Sequence, residues 1–231
     1  KQEIRMVSIM RDTWMNMAKY TDEYYEFDKA NSAYNRGGPE SMLSMLNTNL
    51  DFALTDYVTV NFKALADAID VLGGLDIEMT NAECVHANNY NREVSEAQGV
   101  EYEAIPYDED LGDDYSEVRH VSGALATSYA RIRYGGGDDY RRTERQRTVL
   151  TAMMQKAQKS NILTLNKLIN AAFGDIQTSF SNTDLLALAT KVFSYDIGDT
   201  TGFPYEKTTH KYDKIGDVVI PCDLASNVTQ L

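Results

Sequence analysis

Six of the eleven arginines in this 231-residue chain are concentrated in seventeen consecutive positions. These six are Arg131, Arg133, Arg141, Arg142, Arg145 and Arg147. Guanidinium groups donate paired hydrogen bonds whose geometry matches that of phosphate oxygens. A three-glycine loop at 135–137 joins two arginine-bearing segments and leads into a predicted helix, whose N-terminus also favours anions. This spacing predicts a site that binds a phosphate or pyrophosphate group.

A structural network of ion pairs is the alternative for the same arginines. On the predicted helix, Arg142 and Arg145 fall on the same stripe as Val149, so both are expected to point partly inward. An inward guanidinium is costly unless it meets an anion. Three nearby carboxylates could supply that anion from within the chain: Asp138, Asp139 and Glu144. The residues alone leave both alternatives open.

Two further groups of polar residues lie early in the chain. Arg11 and Asp12 follow a predicted buried strand at residues 4–9, and α/β folds place functional groups at strand ends. Asp12 could hold a magnesium ion, accept a proton or cap the next turn. Lys29 and Asn31 lie in a later loop and could be either ligand contacts or solvated surface groups.

The composition argues against several classes of function. A net charge of −13 disfavours general binding to nucleic acid or to an anionic membrane surface. No apolar run approaches the ~18 residues of a membrane-spanning helix. The three histidines are scattered and the cysteines lack metal-ligand spacing, which disfavours a zinc site. Cys84 and Cys222 could form a disulfide in an exported protein or remain buried thiols in a cytosolic one.

The hydrophobic pattern that must position these residues predicts one α/β domain over residues 1–231. A strand at 57–60, a helix at 62–72 and a strand at 75–79 suggest a βαβ unit. Residues 80–120 show weak periodicity and are interpreted as an irregular insertion. The remaining predicted elements are helices from Pro39 to residue 50 and over 123–129, 140–158, 164–173 and 183–193, and short strands within 202–221.

Five motifs in this order resemble the LytR-CpsA-Psr family of bacterial cell-wall enzymes. They are SIMRDT at 8–13, KANSAY at 29–34 with Gly37-Gly38, DYVTVNF at 56–62, LGGLD at 72–76, and YARIR at 129–133 followed by Asp139, Arg142, Arg145 and Gln146. The resemblance runs from about residue 5 to about residue 150. Its specificity comes from the order of the five motifs, because each one alone is unremarkable.

The resemblance implies a three-layer α/β/α sandwich with a central mixed β-sheet. It implies a position outside the cytoplasmic membrane, with a membrane tether N-terminal to this chain. Family members move a glycopolymer, such as teichoic acid or capsule, from a polyprenyl-pyrophosphate carrier onto peptidoglycan. A hydroxyl of the wall sugar attacks phosphorus, the lipid phosphate leaves, and the lipid tail lies in an apolar tunnel.

The resemblance also implies roles for individual residues. Arg11, Arg131, Arg133 and Arg142 match arginines that contact the pyrophosphate. Asp12 and Asp139 match acidic positions linked to a Mg²⁺ ion or to organising the site. Arg145, Gln146, Lys29 and Asn31 are expected to complete the pyrophosphate site. Arg11, Asp12, Arg131 and Arg133 are the expected catalytic residues.

The chain departs from the family pattern at two places. The family usually has a glutamine two residues after the glycine that precedes its Tyr-Ala-Arg motif, and here that position is Leu125. The family also carries an aspartate on a strand about twenty residues upstream of Ile4, which this chain does not contain. In an exported family, Cys84 and Cys222 are expected to form a disulfide.

Three hypotheses for function follow. The first is a magnesium-dependent transferase that ligates the glycopolymer to peptidoglycan. The second is a pyrophosphatase acting on polyprenyl pyrophosphates, in which water replaces the sugar hydroxyl and the same arginines are needed. The third is a non-catalytic module that binds lipid-linked glycan through Arg131, Arg133 and Arg142 without depending on Asp12 or a metal.

Overall fold

The computed structural model describes residues 2–17, 26–133, 138–173 and 176–231, with the side chains at 138–139 and 170–173 left outside the description. The helices are α1 Ala30–Leu50, α2 Phe62–Val71, α3 Asn81–Gln98, α4 Gly123–Arg131, α5 Asp138–Lys159, α6 Ile162–Phe173, α7 Asn182–Lys191 and α8 Leu224–Thr229. The strands are β1 Gln2–Ile9, β2 Trp14–Asn16, β3 Phe27–Lys29, β4 Val58–Val60, β5 Leu75–Thr80, β6 Ser116–Val121, β7 Ile176–Thr178, β8 Tyr195–Phe203, β9 Lys207–Tyr212 and β10 Gly216–Pro221. This mixture confirms the predicted α/β class.

The strands of the described residues pair two by two. β5 pairs with β6, β4 with β7, β2 with β3 and β9 with β10, all antiparallel, and β1 pairs with β8. The central sheet that the resemblance implies is therefore present as separate ladders, four strands of which are only three residues long. The predicted βαβ unit has the right elements, but its pairing is wrong, because β4 and β5 each bond to a different strand.

The chain divides into two compact units, each of which contains its own hydrophobic core. Unit 1 comprises Lys1–Arg5 and Val58–Asp199, and unit 2 comprises Met6–Tyr57 and Thr200–Leu231. Unit 2 is thus assembled from both ends of the sequence, with unit 1 between them. The expectation of a single domain over residues 1–231 stays a prediction.

The predicted irregular insertion at 80–120 is wrong for its first half, which is the 18-residue helix α3. A capping box starts this helix: the Thr80 hydroxyl accepts the Glu83 backbone N–H, and the Glu83 carboxylate accepts the Thr80 backbone N–H. Its buried face carries small or polar residues, which give little hydrophobic signal. These are Asn81, Cys84, Ala87, Asn91, Val94 and Ser95.

Helices α2 and α4 cross in close contact at a glycine. A Cβ on Gly123 would lie 2.1 Å from the carbonyl oxygen of Ala66, so no larger residue fits without displacing backbone. The Gly123 N–H donates a 2.6 Å hydrogen bond to Asp70 Oδ1 at the same crossing. Leu125, the departure from the family pattern, is buried in the core of unit 1. This packing fixes the direction in which α4 carries Arg131.

The long helix α1 of unit 2 is interrupted at Gly37 and Gly38, whose backbone angles are not helical. Gly38 has φ +67°, in the region that favours glycine. Pro39 then begins the second segment, which confirms the predicted turn and helix start. The core beneath α1 is rich in methionine and includes Met15, Met17, Met45, Leu50 and Phe203.

The structure corrects the expected disulfide. Cys84 and Cys222 are both free thiols. Cys84 has no solvent exposure and is enclosed by the core of unit 1, whereas Cys222 is exposed after β10 in unit 2. A disulfide requires Cα atoms within about 7 Å and converging side chains, and a thiol fully enclosed by its own core cannot meet that requirement with a surface cysteine. Burial also raises the pKa of the Cys84 thiol.

None of the described helices is both long and apolar enough to span a bilayer.

Candidate functional site

Arg131, the last residue of α4, lies between two aromatic rings of unit 1. Its guanidinium carbon is 5.3 Å from the ring centroid of Phe62 and 5.6 Å from that of Tyr90. One guanidinium nitrogen lies 3.4 Å from Glu93 Oε2, and the side chain retains 30% of its exposure. Stacking uses the faces of a guanidinium and leaves its in-plane N–H groups able to donate to an anion.

A cavity of about 550 Å³ opens beside Arg131. Its lining is almost entirely apolar, with Asn61 and Gln146 as the polar contributors, and comes from α2, α4, α5, α6, β4 and β7. Phe62 belongs both to this lining and to the rings that hold Arg131. The apolar residues that remain exposed at its rim are Val58, Val60, Phe62 and Leu150. A concave, solvent-open apolar surface next to a cation is suited to an amphiphile with an anionic head.

Arg145 is buried and paired within unit 1, so its expected role as a pyrophosphate ligand stays a prediction. It is only 8% exposed. Its Nε donates a 2.8 Å hydrogen bond to Glu83 Oε1, and Nη1 donates to the carbonyl oxygen of Ile132 at 3.3 Å. The carboxylate partner is therefore Glu83 on α3, and none of the three acidic residues considered from the sequence. Arg145 fixes the backbone between Arg131 and Arg133 and so acts as a positioning residue.

The other predicted residues of the arginine segment have different surroundings. Arg133 and Gln146 are exposed, and Arg142 is half-buried. Arg147 is 7% exposed, and its Nε and Nη1 groups donate to no acceptor among the described residues. The side chain of Asp139 lies outside the described residues, so its expected role as a metal ligand stays a prediction. Of these residues Gln146 lines the cavity, and Arg131 contacts Phe62 in its lining.

Arg11 and Asp12 are held in unit 2 by backbone hydrogen bonds from three distant segments. The Met10 N–H donates to the Phe203 carbonyl at 3.0 Å, just before the turn. The Asn31 N–H donates to the Arg11 carbonyl at 3.0 Å, and the Val219 N–H to the Asp12 carbonyl at 2.9 Å. Since all three bonds act on a three-residue stretch of backbone, the position of the Asp12 carboxylate is determined by the fold rather than by a flexible loop.

The side chains at this turn form a compact charged group. The Lys29 ammonium lies 3.1 Å from Asp12 Oδ1, and Arg11 Nε lies 3.5 Å from the same oxygen. Both nitrogens lie at ion-pair distance from Asp12 Oδ1. This oxygen is buried and accepts no hydrogen bond among the described residues. Asn31 Oδ1 is in the same condition. Asp12 Oδ1 therefore meets cations without a hydrogen bond, whereas Asn31 Oδ1 is a buried acceptor without a donor among the described residues, which is costly unless a ligand or water meets it.

The predicted site residues thus fall into two groups, one in each unit. Arg131, Arg133, Arg142 and Gln146 are in unit 1, while Arg11, Asp12, Lys29 and Asn31 are in unit 2. Contacts join the members of the unit 2 group, whereas those of the unit 1 group lie on or next to α4 and α5. Phe62, Tyr90 and Glu83 were missed by the sequence reasoning. The alternation of Val58 and Val60 just before Phe62 was the available signal for the apolar residues at the rim of the cavity.

Comparison with known proteins places these groups in context. The family model LytR_cpsA_psr matches residues 1–213. The Bacillus subtilis (strain 168) polyisoprenyl-teichoic acid–peptidoglycan teichoic acid transferase TagV is 27% identical over 196 residues, which are 80% of this chain and 43% of that protein. The probable cell wall biosynthesis protein LcpB of Corynebacterium glutamicum is 26% identical over 161 residues, or 70% of this chain and 32% of that protein. The chain therefore matches less than half the length of either relative.

Solved structures show the same fold. The crystal structure of B. subtilis TagV matches with a TM-score of 0.69 at 23% identity, and the match covers 99% of this chain and 80% of the TagV chain. The structure described as TagT bound to LIIa-WTA has a TM-score of 0.71 at 17% identity, with 98% and 75% covered. At these identities the likeness establishes the fold alone.

Proposed function

Because this chain belongs to the LytR_cpsA_psr family, we propose that it is a phosphotransferase that ligates a polyprenyl-pyrophosphate-linked anionic glycopolymer to peptidoglycan. The relatives named as polyisoprenyl-teichoic acid–peptidoglycan teichoic acid transferases support the reaction class, and TagT is described as bound to LIIa-WTA. The proposal places the domain outside the cytoplasmic membrane, where peptidoglycan is found, with a membrane tether N-terminal to this chain.

The observation that carries the proposal is the position of Arg131 at the rim of the apolar cavity. Phe62 touches both, so a lipid tail inside the cavity would bring its phosphate to the guanidinium. Arg133 follows on exposed backbone, and Gln146 contributes a polar group to the lining. An apolar tail and a phosphate head are the two parts that a polyprenyl phosphate presents.

The reaction needs positioning and charge stabilisation more than covalent participation by the protein. The oxygen of a wall-sugar hydroxyl forms a bond to the phosphorus that carries the glycan. The bond from that phosphorus to the bridging oxygen of the pyrophosphate breaks, and the polyprenyl phosphate leaves with both electrons. The hydroxyl proton passes to a base, for which we propose Asp12. Arg131 and Arg133 are the groups proposed to stabilise the leaving phosphate.

A Mg²⁺ ion is part of the proposal, with the oxygens of Asp12 and Asn31 as its proposed ligands, although the described residues contain no cluster of three or more His, Cys, Asp or Glu side chains suited to a metal. Mg²⁺ prefers oxygen ligands and usually keeps several waters. The buried Oδ1 atoms of Asp12 and Asn31 are oxygen donors without hydrogen-bond partners among the described residues. The Lys29 ammonium 3.1 Å from Asp12 Oδ1 already provides one positive charge there. When bound, the ion would supply Lewis-acid stabilisation of phosphate oxygens.

Incubation with a polyprenyl-pyrophosphate oligosaccharide, Mg²⁺ and peptidoglycan tests the proposal. We expect glycan transfer and release of lipid phosphate in equal amounts. Arg131→Met should lower the rate by about 10²–10³, the loss typical of removing one donor to a developing charge. Asp12→Asn should lower it without weakening the binding of the lipid donor. Release of lipid phosphate without glycan transfer would favour a pyrophosphatase. If the wild type forms neither product and Asp12→Asn binds the lipid donor normally, a binding module is favoured.

A further inference from the structure

Four aromatic side chains gather on one surface of unit 2. The rings of Trp14 and Tyr212 stack with centroids 4.7 Å apart and planes inclined by 25°. Phe27 stacks on Trp14 at 6.3 Å, and His210 meets Tyr212 edge-on at 4.5 Å. We call these four residues the aromatic platform.

The aromatic platform is partly exposed, with Trp14 and Tyr212 half-buried and Phe27 and His210 at its open side. Along β2, Met15 is 1% exposed and packs into the core of unit 2, as does Met17 just after the strand. Because side chains alternate along a strand, Trp14 lies on the opposite face. Phe27 is 41% exposed and His210 is exposed as well. None of the four rings belongs to the hydrophobic core of unit 2, and partly exposed apolar clusters of this kind can mark binding surfaces.

The platform adjoins the charged group at Asp12. Trp14 pairs with Lys29 in the β2–β3 register, and Lys29 reaches Asp12 at 3.1 Å. Tyr212 pairs with Gly216 in the β9–β10 register. Gly216 lies near the Lys29 ammonium, since a Cβ added to this glycine would be 3.9 Å from it. Stacked rings, an ammonium and a carboxylate thus form one continuous surface within unit 2.

We infer that the aromatic platform binds a sugar ring of the glycan substrate and holds it beside Asp12; this rests on the proposed function. The axial C–H bonds of a pyranose carry partial positive charge and pack against the negative face of an aromatic ring. The hydroxyl groups of the same ring would pair with Lys29 and Asp12, since charged partners make the stronger hydrogen bonds. The sugar could come from the transferred glycopolymer or from the peptidoglycan acceptor, which share this chemistry.

Trp14 is the only tryptophan in the chain, so intrinsic fluorescence reports on the platform directly. The probes are a lipid-free teichoic-acid-type oligosaccharide and soluble peptidoglycan disaccharide fragments, each titrated separately. We expect one of them to shift Trp14 emission to shorter wavelength and to protect it from acrylamide quenching. Tyr212→Ala should weaken the binding of that probe by about three- to ten-fold, which is the effect of losing one aromatic contact. Tyr115→Ala, at an exposed tyrosine of unit 1, is the matched control and should bind like the wild type.

The outcomes separate this inference from the proposed function. Protection by the oligosaccharide assigns the platform to the donor glycan, and protection by the disaccharide assigns it to the acceptor. No protection by either probe at millimolar concentration, or equal affinity in Tyr212→Ala and wild type, overturns the inference even where glycan transfer is intact. Protection with no transfer overturns the proposed function and leaves the platform standing. If Tyr212→Ala does not fold, judged by its thermal unfolding, His210→Ala replaces it under the same criteria.

Discussion

The carboxylate of Glu83 joins the guanidinium of Arg145 to the cap of another helix. Glu83 Oε1 accepts from Arg145 Nε at 2.8 Å, and Oε2 accepts the backbone N–H of Thr80 at 3.1 Å. One side chain therefore links the start of α3 to α5. Burial raises the pKa of the adjacent Tyr129, and the Glu83 carboxylate acts in the same direction. The phenol of Tyr129 accordingly stays neutral beside this pair.

Arg145→Met should destabilise the protein by about 2–4 kcal/mol. Methionine retains the packing of the stem but leaves Glu83, whose side chain is only 19% exposed, without its cation. Chemical denaturation gives the free energy of unfolding. Lys63→Met is the control, because Lys63 and Asp67 form an exposed pair whose loss should cost less than about 0.5 kcal/mol. Unchanged stability with lost phosphate affinity would instead make Arg145 a ligand.

Leu150→Lys at the cavity rim should weaken binding of polyprenyl phosphate about ten-fold or more, since a lipid tail would desolvate the new ammonium. The side chain is 45% exposed, so stability should change little. Anisotropy of a tail-labelled polyprenyl phosphate measures the affinity. Leu163→Lys on α6 is the matched control: Leu163 is 71% exposed and does not line the cavity. Equal weakening in both variants would dissociate the cavity from lipid binding.

The carboxyl group of Asp76 should titrate below its ordinary pKa. The hydrogen bond from His120, 2.7 Å away, is the main cause of the lowered pKa. A lowered pKa in the folded state contributes stability above the unfolded value of about 3.9, and this is lost as pH falls through the folded value. In His120→Gln, carboxyl NMR should therefore find the Asp76 midpoint raised. Asp184, whose pKa is lowered by Ser181, should not move. An unchanged Asp76 midpoint would rule out the His120 contact as the cause.

Thiol labelling should find one reactive cysteine in the folded protein and two after denaturation. Cys222 is exposed, whereas Cys84 is fully buried and its pKa is raised by burial, which disfavours the reactive thiolate. The Cys222→Ser variant should therefore be unreactive while folded and gain one thiol in denaturant. If the denatured wild type reacts only after a reductant is added, the two cysteines form the disulfide that the family resemblance suggested.

Much of the fold was predictable because its signals are local. The turn at Gly37-Gly38, the helix start at Pro39 and the long helix α5 follow from turn residues and helical periodicity. Helix α3 was missed because its buried face is built from alanine, asparagine and serine. The Thr80-x-x-Glu83 capping box was the readable signal for its first turn.

The candidate site was predictable in its members but not in their surroundings. Ordered motifs predict Arg131 and Asp12 as site residues, because motif identity is written in the sequence. The hydrogen-bond partner of Arg145 lies 62 residues away in the sequence, and only the fold reveals that this partner is Glu83. The stacking of Arg131 on Phe62 and the cavity beside it depend equally on how helices pack. Distances of this kind have no local signature.

The three backbone bonds that hold Arg11 and Asp12 come partly from Phe203 and Val219, near the far end of the chain. During synthesis, residues 6–57 emerge first, yet their unit is completed only when residues 200–231 arrive. The intervening segment 58–199 contains its own core and can close earlier. The position of the Asp12 carboxylate is consequently fixed later than the apolar cavity. A chain that stopped before residue 200 would carry a formed cavity while Asp12 still lacked the backbone bonds from Phe203 and Val219.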